Sequence, residues 1–545
     1  MMEILDAALL RHLPVLPVLV PLFTAVALLM MGDGDGQTSH DGSVFRRHRL
    51  LGLSAVAIGA MMAWRLFIEA AAGGLTVYPL GGWPAPFGIV LVIDRLSAMM
   101  LALTWTIALP VLWYATGGWD SHGRHFHALF QFQLMGLSGA FVTGDLFNLF
   151  VFFEILLIAS YVLLVHGQGR ERFKAGLHYV VLNLVASALF LIGLAIIYGV
   201  AGTLNMADLA LRVGQLEPQQ ATLFKIGAMI LLVVFGLKAA IVPLYLWLPG
   251  TYAAATAPVA ALFAIMTKVG VYAIIRVHAV ILGEGAGHAA LAAEPWLLPI
   301  ALLTIVFGVL GALAAHSLSR LVSYLTVASV GSILVGVGLF TPAAMSASLY
   351  YMVHSTLVIA ALFLLVELVA TQRGDVGDRL QPAAPVAQPV MLGLMTLLGA
   401  ASAAGLPPLP GFLGKLMLLQ SSAAAPWYPL IWAVVLIGGF LTMVCLARAG
   451  AILFWNVTAT DTDIRAGGSL RLTSATLGLL ALSLVLAAAA SPLKRYTDAA
   501  ATQLSDRAAY AEAVLGAVGG ANAQTTKPYQ GGEGEVKLPQ PEGKQ

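Results

Sequence analysis

The chain has 545 residues, of which 59% are hydrophobic and only 10% charged, with a formal net charge of +2. A soluble domain carries about 25% charged residues, so the composition excludes a water-soluble protein. The mean hydropathy of +0.89 also excludes a β-barrel, whose strands alternate apolar and polar residues. No basic patch points to nucleic acid, and a single cysteine, Cys445, leaves no internal disulfide framework.

Glu3, Asp6 and Arg11 precede the apolar run "LPVLPVLVPLFTAVALLMM" (13–31). That run is long for a secretion-signal core and no clear small-residue cleavage site follows, so it reads as a retained first span. With roughly 20 apolar residues needed per helix, about fourteen spans are expected. They fall near 13–31, 50–71, 96–117, 127–143, 146–165, 175–200, 221–246, 255–282, 295–315, 321–340, 344–369, 387–420, 427–456 and 470–490. The segment 387–420 is too long for one simple helix and is expected to be broken. Residues 1–493 form one transmembrane domain in this reading. Residues 494–545 form a polar tail, disordered after a short amphipathic piece around 495–516.

Basic residues orient the spans. Arg46, Arg47, Arg49, Arg124, Arg170, Arg172, Lys174, Arg320, Arg373, Arg379, Arg465 and Arg471 occupy loops of one parity. The opposite loops hold only Arg95, at a boundary, and Arg212. The positive-inside rule makes the first set cytoplasmic, with both termini outside.

Arginine and lysine are distributed differently. Most of the nineteen arginines lie in loops; the exceptions are Arg65, spaced at i+4 from Glu69, Arg276 and Arg448. Of the five lysines before residue 490, four fall in predicted spans: Lys225, Lys238, Lys268 and Lys415. Arginine keeps its proton under all ordinary conditions, whereas a desolvated lysine can release one, which suits a proton relay. Ionisable groups inside a membrane are candidate functional sites. The structural alternative is that Lys225, and also Lys268, reach for an interface. Glu154, in "LFNLFVFFEILLIASYVLL" (146–164), lies near mid-bilayer and needs a partner or a proton. Paired with Lys238, it would let each group tune the other; a static buried ion pair is the competing reading.

Prolines mark two breaks. In "FGLKAAIVPLYLWLPG" (235–250) Pro243 should end a helix just after Lys238. In "ASAAGLPPLPGFLGKLMLLQ" (401–420) Pro407, Pro408 and Pro410 precede Lys415. Broken helices at membrane depth are tolerated where they line a polar cavity, and two in corresponding positions suggest inverted repeats, here spans 4–8 and 9–13. His354 lies within span 11 and could carry a proton between the halves or simply pack through a hydrogen bond. Asp145 reads as a helix N-cap. His122, His125 and His127 have some look of a metal-ligand set, but only Asp120 is near in sequence, so no metal site is assigned. Neither GxGxxG after a strand, Walker A nor CxxC occurs, so no cofactor is assigned.

The stretches "IDRLSAMML" (93–101), "GDLFNLFVFFEILLIASYVLL" (144–164), "FGLKAAIVPLYLWLPG", "MTKVGVYAIIRV" (266–277) and "GLPPLPGFLGKL" (405–416) together resemble a known family. It comprises the antiporter-like subunits shared by respiratory NADH:quinone oxidoreductase and the Mrp (Pha, Mnh) multisubunit cation/proton antiporters. The likeness covers most of 13–490 and is greatest for the Mrp D subunit. The respiratory relatives usually carry a His after the span-7 proline and an Asp after "WLP"; here Leu244–Tyr245 and Gly250 stand there. The resemblance implies an all-α polytopic fold of fourteen helices, with two inverted five-helix repeats and broken helices 7 and 12. It implies that Glu154 and Lys238 form the central pair and that Lys268 and Lys415 continue a proton path. It also implies exchange of external H⁺ for internal Na⁺ or K⁺ in a bacterial plasma membrane, within a hetero-oligomer of A, B, C, E, F and G subunits, and no enzymatic activity. Three rivals stand beside this reading: a proton-pumping subunit of a redox-driven respiratory or hydrogenase complex, a non-transporting structural membrane subunit, and a stand-alone solute symporter, for which no substrate-sized polar set is evident.

Overall fold

A computed structural model of the chain describes residues 11–32, 42–83, 87–458 and 467–519. Among them eleven helical segments are long and apolar enough to cross a membrane. Three shorter apolar helices, 16–31, 126–142 and 389–404, accompany them. The helices are α1 (Leu16–Met31), α2 (Gly42–Ala71), α3 (Arg95–Ala115), α4 (Phe126–Val142), α5 (Leu146–Val165), α6 (Arg170–Ala201) and the short α7 (Met206–Arg212). There follow α8 (Pro218–Ala239), α9 (Trp247–Ala254), α10 (Ala257–Phe263), α11 (Met266–Ile274), α12 (Glu294–Leu313), α13 (Leu318–Val337) and α14 (Pro342–Gln372). The chain continues through α15 (Pro389–Ala404), α16 (Pro410–Ser422), α17 (Tyr428–Phe454), α18 (Leu470–Ala488), α19 (Ala490–Ser505) and α20 (Arg507–Gly519).

Local chemistry sets many of these boundaries. Asp94 accepts from the Ser97 amide at 2.8 Å and opens α3. Asp145, an N-cap as expected, accepts from the Asn148 amide at 2.8 Å and opens α5. Thr341 caps α14 ahead of Pro342 at the first helical position. Gly202 ends α6 in the left-handed region.

Two features add to the sequence expectation. Val90–Ile93, four β-branched or leucine residues, pairs antiparallel with Thr76–Pro79, so the fold includes one two-stranded sheet beside its helices. The amphipathic piece near 495–516 is a pair of helices, α19 and α20, folded back on the bundle. Tyr496 Oη donates to the Arg95 carbonyl at 2.8 Å, and the Arg95 amide donates to Gln503 Oε1 at 2.9 Å. The rest of the tail, 520–545, lies outside the described residues, as do Glu3, Asp6 and Arg465.

The α10–α11 segment is buried on every side and α14 nearly so, as expected of helices apolar all round. Peripheral helices turn Phe23, Ile158, Leu177, Leu184, Leu436 and Ile437 outward, the surface a lipid solvent accommodates. Loops grouped together by their arginines meet on one face. Arg49 makes a two-pronged bond to Asp120 (2.6 and 2.8 Å), Arg172 stacks on Trp119, and Arg471 donates to the Thr116 carbonyl at 2.8 Å.

Candidate functional site

Lys238 sits in the last turn of α8, fully inside the protein. The helix stops two residues later. Ala240 takes the left-handed conformation (φ +59°), and the amide of Ile241 turns back to the Gly236 carbonyl at 3.0 Å. Pro243 then leads a short 3₁₀ turn, Leu244–Leu246, into α9. Two bonds secure the break from outside: Val242 N–H to Thr304 Oγ1 (3.0 Å) and Trp247 Nε1 to the Leu237 carbonyl (2.9 Å). A helix C-terminus carries partial negative charge, which favours an ammonium group there.

Lys238 Nζ donates to Asn183 Oδ1 at 2.8 Å. No ion pair joins it to Glu154 among the described residues; two α6 side chains stand between them. Asn183 and Ser187 are one turn apart, and the Ser187 hydroxyl lies within hydrogen-bond distance of both Glu154 Oε1 and the Asn183 carbonyl. The expected Glu154–Lys238 contact is therefore a bridged one, Glu154–Ser187–Asn183–Lys238. Sequence reasoning missed the bridge, although the signal existed: "VVLNLVASALF" (180–190) places Asn and Ser at i and i+4 in an apolar helix.

Lys268 follows on α11, which packs closely on α8. A Cβ at Gly270 would meet the Ala239 amide nitrogen at 2.6 Å, so only glycine permits this approach. Lys268 Nζ is completely buried and reaches Thr267 Oγ1 (3.3 Å) and Ser329 Oγ (3.5 Å). Ser329 is also on the wall of a cavity of about 30 Å³ with Ser332, His354, Ser355, Lys415 and Thr442. That is room for roughly one or two waters. His354 is buried, with its Nδ1 unpartnered.

On the far side of the cavity, α15 ends at Gly405 (φ +85°) and α16 restarts at Pro410. Lys415 Nζ reaches back across this second break and donates to the Ala404 carbonyl at 2.8 Å. A Cβ on Gly411 would fall 2.2 Å from the Ser402 carbonyl and 2.7 Å from His354 Nε2, so a glycine is what lets His354 lie against the break. The three lysines thus share a trait: each holds its ammonium group on neutral oxygen partners. In a low-dielectric interior such a charge responds strongly to any charge that appears nearby.

The remaining candidates fall elsewhere. Lys225 is half-buried near the start of α8. Arg65 pairs with Glu69 at 2.8 Å on a solvent- or lipid-exposed face. Arg276 is the unexpected one. It forms a buried two-pronged bond to Asp94, both arms 2.6 Å, with Ser97 Oγ at 2.9 Å and Tyr272 Oη at 3.0 Å. Burial alone would push the Asp94 carboxyl up, but Arg276 and the Ser97 bonds hold it below the usual carboxylate range. Two of the motif stretches, 93–101 and 266–277, are thereby joined. Among the histidines, His127 Nε2 bonds Asp120 Oδ2 at 3.1 Å and His122 Nδ1 bonds the Gly118 carbonyl at 2.8 Å, so these two are engaged separately. Burial opposes it, yet Arg49 and His127 hold the Asp120 carboxyl below the usual range.

A family model described as the transmembrane region of NADH:quinone oxidoreductase and Mrp antiporters matches residues 143–442, which include Glu154, Lys238, Lys268, His354 and Lys415. The chain belongs to this family. Among relatives, the D subunit of a probable K⁺/H⁺ antiporter of Rhizobium meliloti is 42% identical, with 93% of this chain and 98% of the relative covered. The D subunit of a Na⁺/H⁺ antiporter of Alkalihalophilus pseudofirmus is 37% identical, covering 93% and 99%. A chain of the Mrp complex from Dietzia superposes with a TM-score of 0.83 at 27% identity, covering 93% of this chain and 99% of that one. A chain of respiratory complex I from Thermus thermophilus shares the fold, with a TM-score of 0.75 at 23% identity and coverage of 91% and 99%. The family expected from the motif stretches, and the all-α polytopic membrane fold, are the ones found.

Proposed function

We propose that this chain is the D-type membrane subunit of a multisubunit cation/proton antiporter, partnered by A, B, C, E, F and G subunits, that exchanges external H⁺ for internal Na⁺ or K⁺. The proton path takes in Glu154 and Lys238, which Ser187 and Asn183 position relative to each other, then Lys268, the cavity at His354, and Lys415. The face that gathers the arginines is cytoplasmic, the membrane is a bacterial plasma membrane, and the three shorter apolar helices span it as well, making fourteen crossings. The two breaks, at 240–246 and 405–409, belong to inverted repeats.

The observation that carries this reading is the row of buried lysines held only by amide, hydroxyl and carbonyl oxygens beside two helix breaks. A structural lysine is normally matched by an acid; these are placed to change charge as a proton passes. The test is recovery of a quenched pH probe in vesicles carrying the intact complex, with Na⁺ and K⁺ added separately. Glu154→Ala should abolish exchange in a complex that still assembles, while Glu154→Asp keeps part of it. Full exchange by the Ala variant removes Glu154 from the path. Co-purification of a flavin or iron–sulfur protein with the complex would instead favour a redox-driven pump.

A further inference from the structure

Glu367 lies five residues before the end of α14, and nothing in the path above uses it. Trp119 Nε1, from the loop after α3, donates to its Oε1. Its Oε2 is shielded from solvent, with the Tyr114 hydroxyl as the neighbouring polar group. Among the described residues no basic group lies within ion-pair distance of this carboxyl. The charged and titratable groups that face it are Tyr114, Arg172 and His122. Tyr114 Oη donates to the Leu364 carbonyl, one turn away on the same helix, at 3.3 Å.

The indole separates this acid from the aqueous face. The Arg172 guanidinium carbon stands 5.3 Å from the Trp119 ring centroid, and the exposed His122 ring is 4.9 Å from it. Arg172 is tethered in turn to the Ala254 carbonyl at 3.0 Å, the end of α9. One indole N–H therefore closes off a buried acid, and loop residues close off the indole. A buried carboxyl this lightly held calls for an explanation, and a role in moving protons supplies one.

We infer that Glu367 exchanges protons between the membrane interior and the arginine-rich face, with Trp119 as its lid. The carboxyl takes a proton on Oε2; when Trp119 swings aside, that proton passes to water as hydronium and the carboxylate left behind accepts the next. This rests on the proton-transport reading above and adds to it the residue at which protons leave or join the aqueous phase.

Three variants of the intact complex in vesicles test it, with rates normalised to assembled complex on a native gel. E367Q keeps the shape and an oxygen to accept the Trp119 N–H but cannot carry a proton. E367D keeps the acid and withdraws it from Trp119 by one methylene. A proton carrier predicts less than a tenth of the wild-type rate for E367Q and a clearly higher rate for E367D. A structural anchor predicts the reverse order, and E367Q at or above E367D overturns the proposal. W119F, which removes the N–H together with the five-membered part of the indole, is expected to assemble; failure of both W119F and E367Q to assemble also overturns it, because the bond would then be holding the fold. Lys238→Ala, measured alongside, separates the two ideas. If it transports like wild type the relay reading falls, whereas Glu367 alone is excluded when E367Q is active and Lys238→Ala is not.

Discussion

The two helix breaks hold a lysine by opposite routes. At the first, Lys238 precedes the break and sits in the closing turn of α8. At the second, Lys415 follows the break and stretches back from α16 to the Ala404 carbonyl of α15. Each lysine is thus associated with the C-terminal end of a half-helix, where unpaired carbonyls concentrate negative potential: Lys238 by its place in the last turn and Lys415 by its bond to Ala404. The surroundings differ. Lys238 is wired through Asn183 and Ser187 to an acid, whereas Lys415 faces a small cavity and the His354 imidazole with its free Nδ1. The common element is a lysine beside a helix break with its ammonium on a neutral oxygen, the Asn183 side chain at one and the Ala404 carbonyl at the other. What varies is the group that answers it: a carboxylate at one end, an imidazole beside room for water at the other.

The largest expected effect tests whether Lys238 titrates. Lys238→Arg keeps the charge but not the ability to lose it. A fixed hydrogen bond to Asn183 would tolerate arginine; a relay would slow by roughly a hundredfold, the scale of losing a proton-transfer group. The check is ΔpH-driven exchange in vesicles from pH 7 to 9, and a near-wild-type rate would remove the distinction between lysine and arginine at this break. Next in size is Gly411→Ala at the second break. The new methyl must displace the Ser402 carbonyl or His354, and overpacking costs about 1–3 kcal/mol. Lower thermal stability and loss of exchange are expected; an unchanged melting curve would show that the break relaxes freely.

The bundle itself was readable from the sequence because a span needs length and apolarity, both local properties. The segment read at 146–165 is the helix observed, and the breaks appear where prolines forbid continuous helix, after Lys238 and after Ala404. Side-chain partnerships were not readable in the same way. Asp94 and Arg276 are 182 positions apart, and nothing local in either stretch announces the other. The Asn183–Ser187 bridge is not legible either, because an amide and a hydroxyl at i and i+4 in an apolar span are equally what ordinary helix–helix packing uses. The amphipathic pattern around 495–516 is visible in the sequence but its docking is not, because that depends on bonds such as the one from Tyr496 to the Arg95 carbonyl.

The bridge is the feature peculiar to the first break, so removing it should bring the two sites closer in behaviour. Ser187→Ala deletes the hydroxyl beside Glu154 and leaves Lys238 bonded to Asn183. A hydrogen bond to a charged group is worth about 1.5–3 kcal/mol, so exchange should slow about tenfold with assembly intact. An unaffected rate in vesicles would mean that Glu154 and Lys238 communicate by another route. A smaller change is expected from Pro243→Ala. Restoring an N–H should extend the helix, but the left-handed Ala240 and the Val242–Thr304 bond still interrupt it. The expected slowing is about twofold at unchanged cation preference; complete loss would assign the whole break to the proline.

The smallest effect concerns the residue at which each first half-helix stops. The second break uses Gly405 at φ +85°, and the first uses Ala240 at φ +59°. A left-handed residue with a Cβ carries a penalty of roughly 1–2 kcal/mol, which glycine avoids. Glycine in turn adds conformational freedom to the unfolded chain, worth roughly 0.5–1 kcal/mol in the other direction. Ala240→Gly should therefore shift stability by less than about 1 kcal/mol and leave exchange unchanged. The reciprocal change is not symmetrical. At Gly405 a Cβ would stand 3.1 Å from the Lys415 side chain and 3.3 Å from the Gly411 carbonyl, so Gly405→Ala adds crowding against the lysine to the backbone penalty. Thermal unfolding of the two single variants, with exchange measured on the same preparations, distinguishes the breaks. Ala240→Gly near wild type with Gly405→Ala impaired in both readouts is the expected pattern. Equal and small effects would show that the stop residue at the second break does not help to hold Lys415 on the Ala404 carbonyl.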